Sequence, residues 1–207
     1  MRKITIDEIT RQYKLGFKDF KGVEVAPGSL AKRRLFRVKF VGSNLMNCDF
    51  QRAILQECDF SGANLRNADF RGANLAHADL KSSDLRGANL RGVDLSSVNF
   101  SGAKMEGVDL TSSILTKATF IGTNLKGAIF RNADLRGSNF SSANLESADL
   151  SEANIASVNF NQADLTNACL NGADPGRLWW KAKFQQATLD GAILPNGTVF
   201  GEVNNPV

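Results

Sequence analysis

Large apolar residues recur at every fifth position over most of this chain. From Phe40 to Leu170 each such position holds Phe, Leu, Ile or Met, twenty-seven times in succession. Two places before each stands a small residue, Ala in fifteen repeats and Ser, Val, Thr or Cys in the others. The position between them is Asp or Asn in twenty. A unit such as Ala63-Asn64-Leu65-Arg66-Asn67 therefore reads apolar, polar, apolar, polar, polar. A helix advances by about 100° per residue, so this period would smear its apolar stripe around the cylinder. In a flat strand an odd period would send successive large residues to opposite faces. All of them stay inside only if each pentapeptide is a short side followed by a bend, and the chain coils around its own core.

The bend has its own signature. The second residue after the large one is Gly in eleven repeats and Asn in four, residues that tolerate the positive φ of the third position of a type II turn. The phenylalanines give the size of the coil. Phe40, Phe60, Phe100, Phe120, Phe140 and Phe160 share a twenty-residue spacing, with Leu80 standing in once. Phe50, Phe70 and Phe130 form a second column offset by ten. Four pentapeptides per coil stack each column and set the two on opposite walls, where successive rings contact one another. At a strand-like spacing the array is ~33 Å long.

The pattern weakens at both ends. Residues 1–17 are expected to form a capping helix: Thr5 and Glu8 make a capping-box pair, Ile4 and Ile9 a hydrophobic staple, and Gly16 a stop. Ile6, Ile9 and Tyr13 share one face of it and would cover the first coil. Phe20 and Val25 then lead into a main array over residues 18–170. Two stretches break the register. In 26–34, Arg33 falls where a small inward residue is required; burying a lone guanidinium is very costly, so this stretch is expected to leave the wall as a loop. In 171–183, Pro175 takes a large-residue slot, and the repeat returns one residue early at Phe184, Leu189, Leu194 and Val199, as a final coil over 184–199.

The array of Ala-Asp/Asn-Leu/Phe units resembles the pentapeptide repeat proteins. The resemblance implies an all-β fold, a right-handed quadrilateral β-helix, here with a short N-terminal capping helix and residues 1–207 forming a single solenoid. The ends are similar to those of cyanobacterial members such as the family's heterocyst-differentiation regulator. That likeness rests on Glu8-Ile9-Thr10-Arg11-Gln12-Tyr13 and Gly191-Ala192-Ile193-Leu194-Pro195-Asn196-Gly197-Thr198. The family implies protein–protein interaction. Some members protect a type II topoisomerase by imitating duplex DNA, which requires a dense negative surface in place of phosphates. Here the net charge is +4, and residues 1–40 carry eleven Lys and Arg against four Asp and Glu. That balance argues against DNA mimicry.

The chemistry on offer points the same way. The one histidine, His77, falls at an outward turn position, and the many Asp residues are spaced by the repeat rather than paired. No nucleophile–base pairing, metal-ligand cluster or phosphate-binding loop is written in the sequence, so neither an enzyme nor a cofactor or small-molecule substrate is expected. Cys48 and Cys58 occupy small inward slots as core filler, and Cys169 takes an Asp/Asn slot. Three cysteines make no disulfide framework, no apolar run approaches a bilayer span, and the N-terminus lacks the apolar stretch of a signal peptide. A cytoplasmic protein that does not engage membranes is expected.

The candidate partner-binding residues fall into three groups. Lys32, Arg33, Arg34 and Arg37 form a dense cluster for an acidic protein or, as a second reading, nucleic acid; no aromatic interleaving supports base stacking there. Arg66 and Arg86 align on one wall with Lys126, and Arg71, Arg91 and Arg131 on the next; both columns also read simply as solvated surface. Arg177, Trp179 and Trp180 form the third group, the tryptophans either covering the last coils or anchoring a partner. The expected function is a non-catalytic scaffold or regulatory adaptor for a protein partner not identified by the sequence.

Overall fold

The computed structural model describes residues 1–176 and 183–201. From Asp19 onward the Asp/Asn slot of each pentapeptide forms a parallel bridge with the residue twenty places further along, Asp19 with Lys39, Lys39 with Asp59, and so on to Asn154 with Asp174. Four pentapeptides thus close one coil. Each side is tied to the next coil by backbone hydrogen bonds such as Phe60 N to Asp79 O at 2.7 Å, and to the previous one by Asp59 N to Val38 O at 2.9 Å. Each corner closes with a bond of the kind Ala63 N to Phe60 O, 2.9 Å. The second turn residue has positive φ throughout the array: 64° at Gly62 but also 56° at Asn67 and 57° at Glu57. Coil closure holds even non-glycine residues in this left-handed region, at a cost of ~1 kcal/mol or more each.

One structural role of the Asp/Asn column is not written in the periodicity. The side-chain oxygen of this residue accepts from the backbone N–H two places on, as from Gln51 N to Asp49 Oδ1 at 2.9 Å or Ala156 N to Asn154 Oδ1 at 3.1 Å. A short polar side chain thereby satisfies a turn donor that the coil geometry leaves unpaired. This explains why Asp and Asn recur where other polar residues would be equally outward.

The interior is a continuous packed core running from Ile4 to Ala173. The two phenylalanine columns stack as the spacing requires: Phe120–Phe140 have ring centroids 4.4 Å apart, Phe50–Phe70 4.8 Å. The opposing columns also meet edge to face, Phe120–Phe130 at 6.0 Å, so the space between the walls is filled. Several polar residues that replace the inward Ala find a carbonyl in the preceding coil: Ser43 donates to Phe20 O, Thr123 to Phe100 O and Cys58 to Leu35 O, at 2.8, 2.8 and 2.7 Å. Ser83 instead donates to Leu80 O in its own coil at 2.7 Å, and Ser138 Oγ is buried without a partner among the described residues.

The N-terminal segment is more than a helix. Strand β1 (Arg2–Ile4) pairs in parallel with β2 (Val23–Val25), so a first side precedes the helix. Helix α1 (Ile6–Lys14) follows, with Thr5 as N-cap accepting from Glu8 N at 3.2 Å. Glu8 does not complete the capping box; its carboxylate accepts from Gln12 Nε2 at 2.8 Å instead. Ile9 is fully buried beneath the first coil, with Ile6 and Tyr13 packed against the core, and Gly16 takes φ 92° beyond the helix end.

Three boundary expectations need correction. Residues 26–34 do not leave the wall: Ser29 bridges Asp49, Arg34 bridges Ile54, and Leu30 is buried. Arg33 keeps its backbone in register, its carbonyl accepting from Ile54 N at 2.8 Å, while its side chain is exposed. This is possible because α1, and not another coil, lies beside that slot, which leaves the guanidinium a route to water. The break at 171–183 starts later than the composition suggests, since Ala173 is buried and Asp174 still bridges Asn154. Beyond it the spacing of the bridges becomes twenty-four, from Asn159 with Lys183 to Cys169 with Ile193, an insertion of four residues. Nor does the last coil run on to Val199. Val199 pairs antiparallel with Ile193, and Leu194 N donates to Thr198 O at 2.7 Å. Pro195 and Gly197, with φ 81°, reverse the chain into a hairpin.

Candidate interaction surface

The walls hold most of their charge in check locally. An arginine one place after the large residue stands two places after the Asp/Asn column, close enough for a forked ion pair. Arg71 meets Asp69, Arg86 meets Asp84 and Arg136 meets Asp134, each at 2.6 Å. Arg91 reaches Asp109 on the next coil at 2.7 Å, and Arg131 reaches Asp149 in the same way. Arg66 lies 4.0 Å from Asp84, and Lys126 pairs with Glu146 at 2.8 Å. The carboxyls of Asp69, Asp84 and Asp134 are held below their ordinary range chiefly by the hydrogen bonds from their arginines. At Asp109 and Asp149 partial burial pulls upward but is outweighed by hydrogen bonds from Thr111 and Ser151 and then by Arg91 and Arg131. The aligned arginines expected to form basic columns are therefore a neutralised lattice.

The first coil is different. Its side at 32–35 faces the last turns of α1, and between them runs a groove of about 280 Å³. Thr10, Tyr13 and Lys14 line it from the helix; Lys32, Arg33, Arg34 and Leu35 line it from the wall. Arg34 occupies the Asp/Asn slot and Arg33 the slot before it, so the two residues that would bring a carboxylate and a small filler bring cations instead. Among the described residues, Lys14, Lys32, Arg33 and Arg34 make no ion pair. Tyr13 Oη accepts from Phe36 N at 3.1 Å, which leaves its own hydrogen free to donate. Arg37, grouped with these residues by sequence, belongs to the neutralised set: it pairs with Glu57 at 2.7 Å.

Aromatic residues do accompany the basic cluster, contrary to the sequence reading. Phe36 stands between Arg34 and Arg37, and its ring carries two cations, Arg37 at 4.8 Å and Lys18 at 5.8 Å from the centroid. Phe17 and Leu15, just beyond α1, are 61% and 71% exposed. The slot violations at 33 and 34 and the Phe36 between arginines were the sequence signals for this site; the contribution of α1 had none, because it depends on where the helix packs.

Elsewhere the surface is less specific. A wider depression of about 540 Å³, lined by Ser141, Asn161, Gln162, Gln185 and Gln186, is neutral, and its amides engage one another, as Gln162 Nε2 does Gln186 Oε1 at 3.0 Å. An apolar cleft of about 130 Å³ lies at the last coil among Leu170, Phe184, Leu189 and Phe200. Arg177, Trp179 and Trp180 lie outside the described residues. Burial pushes the Cys48 thiol up to about 11 and Cys58 to about 12, so both stay protonated as core filler; Cys169 is half-buried, with Sγ 3.2 Å from Ser151 Oγ. His77 is exposed at a corner. Among the described residues no group of three or more His, Cys, Asp or Glu could hold a metal ion, and no helix is long and apolar enough to cross a membrane.

A twenty-residue coil with a filled interior and corners every fifth residue defines a β-helix solenoid of pentapeptides. The chain belongs to the pentapeptide repeat family: the model described as pentapeptide repeats (8 copies) matches residues 34–72, 43–81 and 73–111, and the pentapeptide repeat region matches 93–170. Members of the family are right-handed β-helix solenoids. No curated protein matches the chain. Among solved structures it is similar to HetL, a pentapeptide repeat protein involved in heterocyst differentiation regulation from the cyanobacterium Nostoc sp. strain PCC 7120, at 25% identity over 95% of this chain and 99% of that one, TM-score 0.43. It is similar to AT2G44920, a pentapeptide repeat protein from the Arabidopsis thaliana thylakoid lumen, at 34% identity over 49% of this chain and 68% of that one, TM-score 0.39. It is also similar to QnrB1, a plasmid-mediated fluoroquinolone resistance protein, at 22% identity over 91% of this chain and 88% of that one, TM-score 0.44.

Proposed function

We propose that this chain, wound as a right-handed four-sided solenoid, is a non-catalytic interaction scaffold, a regulatory adaptor that meets a protein partner in a reducing, cytoplasmic compartment. The observation that carries this reading is the filled interior: large and small inward residues are buried from Leu35 to Leu170, so the molecule works through its outer surface. Along that surface the walls are repetitive and the ends are not, and irregular segments on a rigid frame are where recognition is carried. The first coil with α1 and the segment around 174–183 are the two such places. The test is capture of partners from native extract by the wild-type chain, by Lys32→Ala/Arg33→Ala/Arg34→Ala and by Trp179→Ala/Trp180→Ala. Loss of a specific protein from either variant is expected; the same proteins retained by both would count against these sites.

A further inference from the structure

We infer that the groove between α1 and the first coil is a docking site for a short acidic segment of a partner protein. The inference deepens the scaffold reading and rests on it. The side chains that the groove offers with hydrogens still to give are the Tyr13 hydroxyl, the Lys14 and Lys32 ammoniums, and the Arg33 and Arg34 guanidiniums. Thr10 has already given its hydrogen to Ile6 O at 2.9 Å. A site with four cations and no carboxylate selects anions, and two adjacent arginines favour flat, two-oxygen acceptors such as carboxylates.

The extent of the charge decides between a peptide and a polyanion. A nucleic acid needs a track of cations along which successive phosphates can lie. Away from the groove that track is interrupted, because Arg37 is held by Glu57 and, past Arg52, which is unpaired among the described residues, Arg71 and Arg91 are held by Asp69 and Asp109. Phe36, beside the groove, is already engaged by Arg37 and Lys18, which removes it as a platform for a base, and Tyr13, which lines the groove, is packed against the core and tied to Phe36 N. What remains is a compact anion-selective pocket with an apolar floor at Leu35, and exposed Leu15 and Phe17 directly beyond Lys14. Carboxylates interspersed with apolar side chains match that mixture, and Arg and Tyr are the residues that dominate such contacts.

The probe is a short fluorescein-labelled peptide of Glu, Asp and Leu, titrated with the full chain and read by fluorescence polarisation, beside a single-stranded oligonucleotide of equal charge. Saturable peptide binding is expected, weakened about tenfold or more by Arg33→Gln/Arg34→Gln and by Lys14→Gln, and changed less than about twofold by Arg71→Gln/Arg91→Gln. No saturable binding by the wild type, equal weakening by the groove and wall variants, or tighter binding of the oligonucleotide would overturn the assignment. Capture of a native partner that Arg33→Gln/Arg34→Gln does not disturb would overturn it too, while leaving the scaffold reading intact.

Discussion

Arg33 and Ala133 occupy the same slot of the same wall, five coils apart, and the fold treats them oppositely. Ala133 is buried between coils and carries no polar atom. Arg33 keeps the same backbone register yet places its guanidinium in a groove open to solvent. Inside the array a slot is defined by the coils on both sides of it; at the end, α1 replaces one of them. The consensus is thus a demand of stacking, and it lapses where stacking stops. The same contrast governs charge. Most wall arginines find an aspartate on their own or the next coil, whereas in the first coil the Asp/Asn slot itself has become Arg34.

The most severe way to probe this contrast is to exchange the two residues' roles. Ala133→Arg is expected to destabilise the chain by about 4 kcal/mol or more, because the guanidinium would be trapped among packed aromatic columns without a partner. Arg33→Ala should change stability by less than about 0.5 kcal/mol, as an exposed side chain with no ion pair. Chemical unfolding of the two variants checks both, and similar losses would erase the distinction.

A smaller effect tests the neutralised lattice. Carboxyls held low in the folded state contribute stability that is fully present above the ordinary carboxylate range, about pH 4, and is lost as the pH falls through their lowered values. Arg71→Gln should therefore raise the Asp69 carboxyl towards the ordinary value and move acid unfolding to slightly higher pH, while Arg33→Gln leaves both unchanged. Carbon-detected NMR titration of the aspartates, with acid unfolding followed by circular dichroism, reads the two outcomes.

Much of this was legible in the residues. The five-residue period, the glycines at the corners and the phenylalanine spacing led to a four-sided coil, and the ring contacts at 4.4 and 4.8 Å realise it. Those features are local and repeated, so each copy restates the same constraint. What escaped was set by single, non-repeated packing events. Strand β1 carries only three residues and depends on β2 for its partner. The fate of 26–34 turned on whether Arg33 had a way out, which only the position of α1 decides. The pairing of Arg91 with Asp109 and of Arg131 with Asp149 crosses coils, and a column of arginines read alone shows cations without the acids beside them. The hairpin after Leu194 was written in Pro195 and Gly197, but the apparent continuation of the repeat at Val199 masked it.

This scaffold neutralises most of its wall arginines and leaves open cations at its first coil. Rates of arginine modification by phenylglyoxal, followed residue by residue by mass spectrometry on the folded chain, measure it directly. Arg33 and Arg34 should react several-fold faster than Arg71, Arg86, Arg91, Arg131 and Arg136, with the gap closing on unfolding. Uniform rates in the folded protein, or slower reaction at Arg33 and Arg34 than along the walls, would contradict it.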